Sequence, residues 1–179
     1  MFLSTVPQGW VIAVWFGLIG LCIGSFMNVV CYRLPIMRKL GVYADGKKLQ
    51  ALVEKHGKFN LSYPRSSCPC CDTPIKIKHN IPVLSWVALR GKCAACAAPI
   101  PMKYPAIELL FGLAFGSYVW IEGVRVAGLI TLPLMAMGFC LFTIMAQTKR
   151  VIKPLAVVYV SLIVLQMILT NMGYSSYAP

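Results

Sequence analysis

The chain has 179 residues, of which 59% are apolar and only 12% charged, with a formal net charge of +12. That balance excludes a soluble core of ordinary composition and places the chain among integral membrane proteins. It excludes a nucleic-acid partner less directly: membrane topology and attraction to anionic lipid account for the positive charge by themselves.

From Met1 to Tyr32 no side chain is charged, and Trp10 to Val30 is long enough to cross a hydrocarbon core that takes about 20 apolar residues. Residues 1–32 are therefore predicted to carry a first transmembrane helix. Neither Lys nor Arg precedes Trp10, unlike the basic leading region of a cleavable signal peptide, so the segment is expected to stay in the mature protein. Residues 33–103 are predicted to form a basic polar domain. Residues 104–179 are expected to hold three further spans, at 104–121, 126–145 and 155–172. Thirteen of the seventeen Lys and Arg lie between Arg33 and Lys103, and Lys149, Arg150 and Lys153 fall between the third and fourth spans. Positive charge stays preferentially on the cytoplasmic side, so both of these segments are predicted inside and both termini outside.

Within the polar domain, Asp45 to His56 has the apolar spacing of a short amphipathic helix, with Asp45 as its cap, and Phe59 to Pro64 reads as an extended connection. Cys68 and Cys71 form one C-x2-C pair and Cys93 and Cys96 another, with twenty-one residues between the pairs. Four thiols so arranged can surround one tetrahedral zinc of structural type. Disulfides are the alternative, and the reducing compartment implied by the charge distribution favours the metal. Each pair is followed by a Pro-Ile step, Pro74-Ile75 and Pro99-Ile100, as two zinc-ribbon turns would be. Cys70 is then a bystander, and His79 is superfluous to a filled tetrahedron. Cys22, Cys31 and Cys140 are expected to be small buried hydrophobes. The expected fold is an all-α integral membrane protein of about four transmembrane helices, with a cytoplasmic zinc-ribbon-like loop domain between the first and second.

Gly17, Gly20, Gly24 and Asn28 fall on one face of the first span with Ser25 beside it, and Glu108, Gly112 and Gly116 step by four in the second. Such stripes let helices pack closely. Asn28 and Glu108 each lie about one turn inside the predicted cytoplasmic boundary. A carboxylate at that depth is costly unless paired, which makes Glu108 a functional candidate, with Arg33, Arg90 and Lys103 as possible partners.

Gly24-Ser25-Phe26-Met27-Asn28-Val29-Val30 with Tyr32-Arg33-Leu34-Pro35, then Pro64-Arg65-Ser66-Ser67-Cys68-Pro69 and Cys71, open a longer pattern. Asn80-Ile81-Pro82, Ser85-Trp86, Arg90-Gly91-Lys92-Cys93 with Cys96, and Tyr104-Pro105 with Glu108 continue it. Taken together, residues Gly20 to Gly116 resemble the amino-terminal half of bacterial prepilin peptidase / N-methyltransferases. The resemblance implies a bacterial inner-membrane protein and S-adenosylmethionine-dependent methylation of the amino terminus of type IV pilin or type II secretion pseudopilin-like substrates. Glu108 and Asn28 are then the catalytic candidates, and Ser25, Asn80, Trp86 and Tyr104 the candidates for contacting the methyl donor. The family's two peptidase aspartates, at an Ile-Asp-x-Asp type boundary and in Gly-x-Gly-Asp, find no counterpart. The first should stand where this chain reads Ile144-Met145-Ala146-Gln147-Thr148-Lys149-Arg150, and the only aspartates are Asp45 and Asp72. The expectation is a methyltransferase without its own aspartyl peptidase. The other reading is a non-catalytic partner of a pilus or secretion assembly system, working beside a separate peptidase subunit.

Overall fold

The computed structural model describes residues 9–124 and 126–171. Its helices are α1 (Gly9–Met37), α2 (Lys47–His56), α3 (Leu84–Ala88), α4 (Lys103–Glu122), α5 (Val126–Thr148) and α6 (Lys153–Asn171). Among the described residues the only strand-like pairings are two isolated bridges, so the all-helical expectation holds. Helices α1, α4, α5 and α6 are each long and apolar enough to cross a membrane. The chain divides into two compact units, Leu21–Phe111 and the remainder.

In the second of these units α4, α5 and α6 share a polar junction inside an otherwise apolar layer. The Tyr118 hydroxyl donates to Thr131 Oγ1 at 3.2 Å and Gln166 Nε2 donates to the same oxygen at 2.7 Å. Bonds of this kind between membrane helices contribute about 0.6–2 kcal/mol and fix their register. Close approach is the other device. A Cβ added at Gly116 would stand 3.2 Å from the Ala13 carbonyl oxygen.

In the unit Leu21–Phe111, α1 and α4 meet at Gly24, where an added Cβ would lie 2.8 Å from the Glu108 Cα and 3.0 Å from the Ile107 carbonyl oxygen. Backbone touches backbone there. Helix α1 outlasts its apolar run and closes on Lys39 at φ 51°, with the Leu40 N–H reaching the Pro35 carbonyl at 2.9 Å and the Lys39 N–H that of Ile36 at 3.2 Å. This is a Schellman closure with lysine in the place usual for glycine. Helix α2 starts later than expected. Gly46, at φ 70°, precedes it, and the Asp45 carboxylate accepts the Lys47 N–H at 3.1 Å from outside the helix.

Residues 59–64 are not the extended connection expected. Asn60 Oδ1 accepts the N–H groups of Ser62 and Tyr63 at 2.9 and 2.7 Å, and the Asn60 N–H donates to the Tyr63 carbonyl. The asparagine side chain folds the segment into a turn by imitating a backbone acceptor. Cys31 and Cys140 are buried, but Cys22 is exposed on α1, on a side turned to the surroundings of the helix, where a thiol is apolar enough to stand.

Adding one methyl at Gly24 must push two backbones apart, so Gly24→Ala is expected to destabilise the protein by about 1–3 kcal/mol in detergent unfolding experiments. Gly17→Ala, whose nearest neighbour would be 3.4 Å away, is expected to be close to neutral in the same measurement.

Candidate functional site

Two turns of identical construction hold the four paired cysteines. In the first, the Cys68 N–H donates to the Thr73 carbonyl, the Asp72 N–H to Cys68 and the Ile75 N–H to Ser66. In the second, the Cys93 N–H donates to Ala98, Ala97 to Cys93 and Ile100 to Gly91, every partner displaced by twenty-five positions. Asp72 and Ala97 occupy the same left-handed conformation, at φ 55° and 59°. The Pro-Ile steps noted in the sequence are the closing strands, paired as Ser67 with Pro74 and Lys92 with Pro99.

Together the turns bring the sulfurs of Cys68, Cys71, Cys93 and Cys96 within 4.8 Å of one another, and Cys68 and Cys96 stand 3.8 Å apart. A regular tetrahedron with zinc–sulfur bonds of about 2.3 Å has edges of about 3.8 Å, whereas a disulfide closes to about 2.05 Å. The cluster can hold a metal ion. Cys70 is exposed and stands outside it, as does His79. The thiols differ in acidity. A hydrogen bond with the Thr73 side chain, helped by the Thr73 backbone, lowers Cys71 to about 6. Backbone N–H groups of Cys96 and Ala95 lower Cys93. Cys96, despite the lowering pull of the Ala98 backbone, is pushed up to about 12 by Cys71, its partial desolvation and the other sulfurs.

The second cluster surrounds Glu108 on α4. Its Oε2 accepts the backbone N–H of Val83 at 2.7 Å. Val83 has φ 58° and ψ −51°, and the Leu84 N–H turns back to the Pro82 carbonyl, which makes the rare γ-turn of positive φ. A β-branched residue in that conformation is strained, and strain of this sort persists where the surroundings over-determine it. Here Ser85 does so from beneath: it is buried, accepts the Ile81 N–H at 2.8 Å and donates to the Lys78 carbonyl at 3.1 Å. Asn28 donates to the Tyr104 carbonyl at 3.2 Å, one helical turn before Glu108. Asn28, Tyr104 and Glu108 thus belong to one α1–α4 contact, with Gly24 against the Glu108 backbone. None of the three expected basic partners is used. Among the described residues no Lys or Arg nitrogen lies within ion-pair distance of Glu108.

The remaining candidates are dispersed. Ser25 is half-buried on α1, and Asn80 is exposed on the loop that Ser85 secures. Trp86 is engaged in the second cysteine turn, where its indole N–H donates to the Ile100 carbonyl at 3.0 Å and its ring lies over Gly91, at φ 68°. Arg33 has a role that sequence reasoning missed. It is 7% exposed, and its guanidinium donates to the carbonyls of Asn60 at 2.8 Å and Pro64 at 2.7 Å, with Phe59 stacked 5.4 Å away. The available signal was its position, the first charge after 32 uncharged residues.

Four helices of membrane-crossing length and four thiols that can hold a metal ion, with a carboxylate fixed near the start of α4, define a multi-pass membrane protein with a candidate metal site. Residues 18–121 match the family described as Bacterial Peptidase A24 N-terminal domain, and the chain belongs to that family. It is 44% identical over 121 residues to the prepilin leader peptidase/N-methyltransferase of Stutzerimonas stutzeri, covering 66% of this chain and 41% of that protein. The protein of the same description from Pectobacterium carotovorum subsp. carotovorum is 34% identical over 155 residues, covering 86% of this chain and 53% of the relative. A type 4 prepilin-like proteins leader peptide-processing enzyme of Escherichia coli O78:H11 is 46% identical over 112 residues, 58% of this chain and 38% of the relative. The chain therefore aligns with about half or less of these relatives. No solved structure matches it.

Replacing Arg33 by Lys keeps the charge but loses the planar fork that spans two carbonyls. Arg33→Lys is expected to make the segment 57–65 cleavable in limited proteolysis at protease levels that leave the parent intact, with metal content unchanged.

Proposed function

We propose that the chain methylates the amino terminus of type IV pilin or pseudopilin-like substrates at the cytoplasmic face of the bacterial inner membrane, with S-adenosylmethionine as donor. In this reading the knuckle holds one structural zinc and both termini face the periplasm. The observation that carries it is Glu108. One carboxylate oxygen is tied to the Val83 amide, and among the described residues the other has no protein donor and no basic side chain neutralises it. A carboxylate fixed at a membrane boundary without a counter-ion suits a cationic guest.

The donor, when bound, supplies a methyl group on a positively charged sulfur. Glu108 would bind the incoming ammonium and accept the one proton that nitrogen loses on becoming the neutral nucleophile, and Asn28 positions the first turn of α4 through the Tyr104 carbonyl. Transfer of the methyl to the neutral amine would then leave a methylated ammonium and a neutral thioether, with no second proton lost. Of the four residues expected at the donor, Tyr104 is best placed, one turn before Glu108. Ser25 lies beside the Gly24–Asn28 face of α1, Asn80 borders the Val83 turn, and Trp86 is constrained by its packing on Gly91.

Leader removal is assigned to other residues. Aspartyl peptidases need two carboxyls close enough to share a proton, and Asp45 and Asp72 are both exposed, each beside a lysine: Lys47 at 4.0 Å and Lys55 at 2.7 Å. Their placement supports the reading that these 179 residues hold no aspartyl peptidase pair.

Glu108→Gln is expected to lower methyl incorporation into leader-free pilin by about a hundredfold, the scale of a lost acid–base group, while span folding and metal content persist. Purified protein should bind S-adenosylmethionine in competition with S-adenosylhomocysteine. Unchanged methylation removes Glu108 from the mechanism, and absent donor binding supports a non-catalytic partner instead. Metal analysis should find about one zinc per chain, lost on Ser substitution at Cys68, Cys71, Cys93 or Cys96 and kept in Cys70→Ser. Protons compete with the metal for the sulfurs, so zinc retention should fall as pH drops.

A further inference from the structure

The polar domain exposes apolar side chains that neither the knuckle nor the Glu108 cluster uses. Ile77, Ile81, Leu84 and Val87 are 79%, 48%, 66% and 60% exposed. Leu84 and Val87 step by three on α3 and so share one side, and Ile81 lies in the turn just before it. Trp86, two residues from Leu84, points the other way and is packed on the second cysteine turn. The backbone beneath is fixed by Ser85 and by the bond from Val83 to Glu108, so the exposed side chains stand on a rigid base.

Charge surrounds them with one sign. Between Thr73 and Ile107 there are five basic residues, Lys76, Lys78, Arg90, Lys92 and Lys103, and neither Asp nor Glu. Depth is set by the Val83 bond. Glu108 lies five residues into α4, about 7.5 Å along the axis at about 1.5 Å per residue, and the headgroup zone flanking the hydrocarbon core is about 5–8 Å thick on each side. With the first residue of α4, Lys103, at the outer edge of that zone, α3 would stand level with its inner edge.

We propose that Ile77, Ile81, Leu84 and Val87 embed in the leaflet that α4 enters, while Lys76, Lys78, Arg90 and Lys103 bind the phosphates of anionic phospholipid. Apolar residues interleaved with cations are what an interfacial element needs, since burial and attraction to anionic lipid add. The inference depends on α4 crossing the membrane and is independent of methyl transfer.

The test uses the full chain in nanodiscs containing phosphatidylglycerol and a phospholipid with a photoactivatable diazirine in its acyl chain. After irradiation and digestion, lipid adducts are expected on the peptide His79–Arg90 as well as on the four long helices. The double variant Leu84→Glu/Val87→Glu should lose most adducts on that peptide while the spans stay labelled and the metal stays bound. Discs of phosphatidylcholine alone should give less than half the adducts of the anionic discs. Adducts confined to the long helices, equal labelling in both discs, or cross-links from this peptide to a second protein in place of lipid would each overturn the proposal.

Discussion

A carboxylate that starts its path inside an apolar helix must be satisfied by something other than water, and the arrangement of the Leu21–Phe111 unit follows from how Glu108 meets that demand. Its acceptor need is met by a backbone amide rather than a cation. To bring that amide within reach, Val83 adopts a strained turn, Ser85 stitches the loop beneath it, and α1 presses on the Glu108 backbone through Gly24. A neutral donor leaves the negative charge uncompensated. The arrangement differs in this from a buried ion pair, in which a basic side chain would stand beside the carboxylate.

The polar domain solves a different problem. Between Arg33 and Lys103 there are few buried apolar residues, Ile36 and Cys68 among them, and too few to order seventy residues by burial alone. Order comes from specific contacts instead. The Arg33 guanidinium gathers the carbonyls of the 59–64 turn, Lys55 reaches Asp72 from α2, and the sulfur cluster ties the two cysteine turns. Small domains that lack a core use a metal in this way.

The class of fold was readable because its signals are additive: long uncharged runs and paired cysteines keep their meaning whatever surrounds them. The sulfur cluster fell where spacing put it, since a C-x2-C turn is local. Failures came where a side chain acts on backbone, whether near or far in the chain. Asn60 closes a turn that looked extended, and Arg33, expected near Glu108, instead holds three loop carbonyls through a pattern with no sequence period. Glycine stripes correctly announced the α1–α4 approach, but nothing in the sequence marked Val83, a residue type that disfavours its own conformation. The partner of Glu108 is a main-chain group, and main-chain groups carry no letter.

The twenty-five-residue correspondence between the cysteine turns has a consequence for assembly. Each turn closes through contacts no more than nine positions apart, so each can take shape on its own before the other exists. An ion bound by all four sulfurs would have to bring the two turns face to face across the intervening stretch that contains α3. The same stretch carries the Val83 amide that meets Glu108, so the ends of that stretch would be tied to the metal and its middle to the carboxylate.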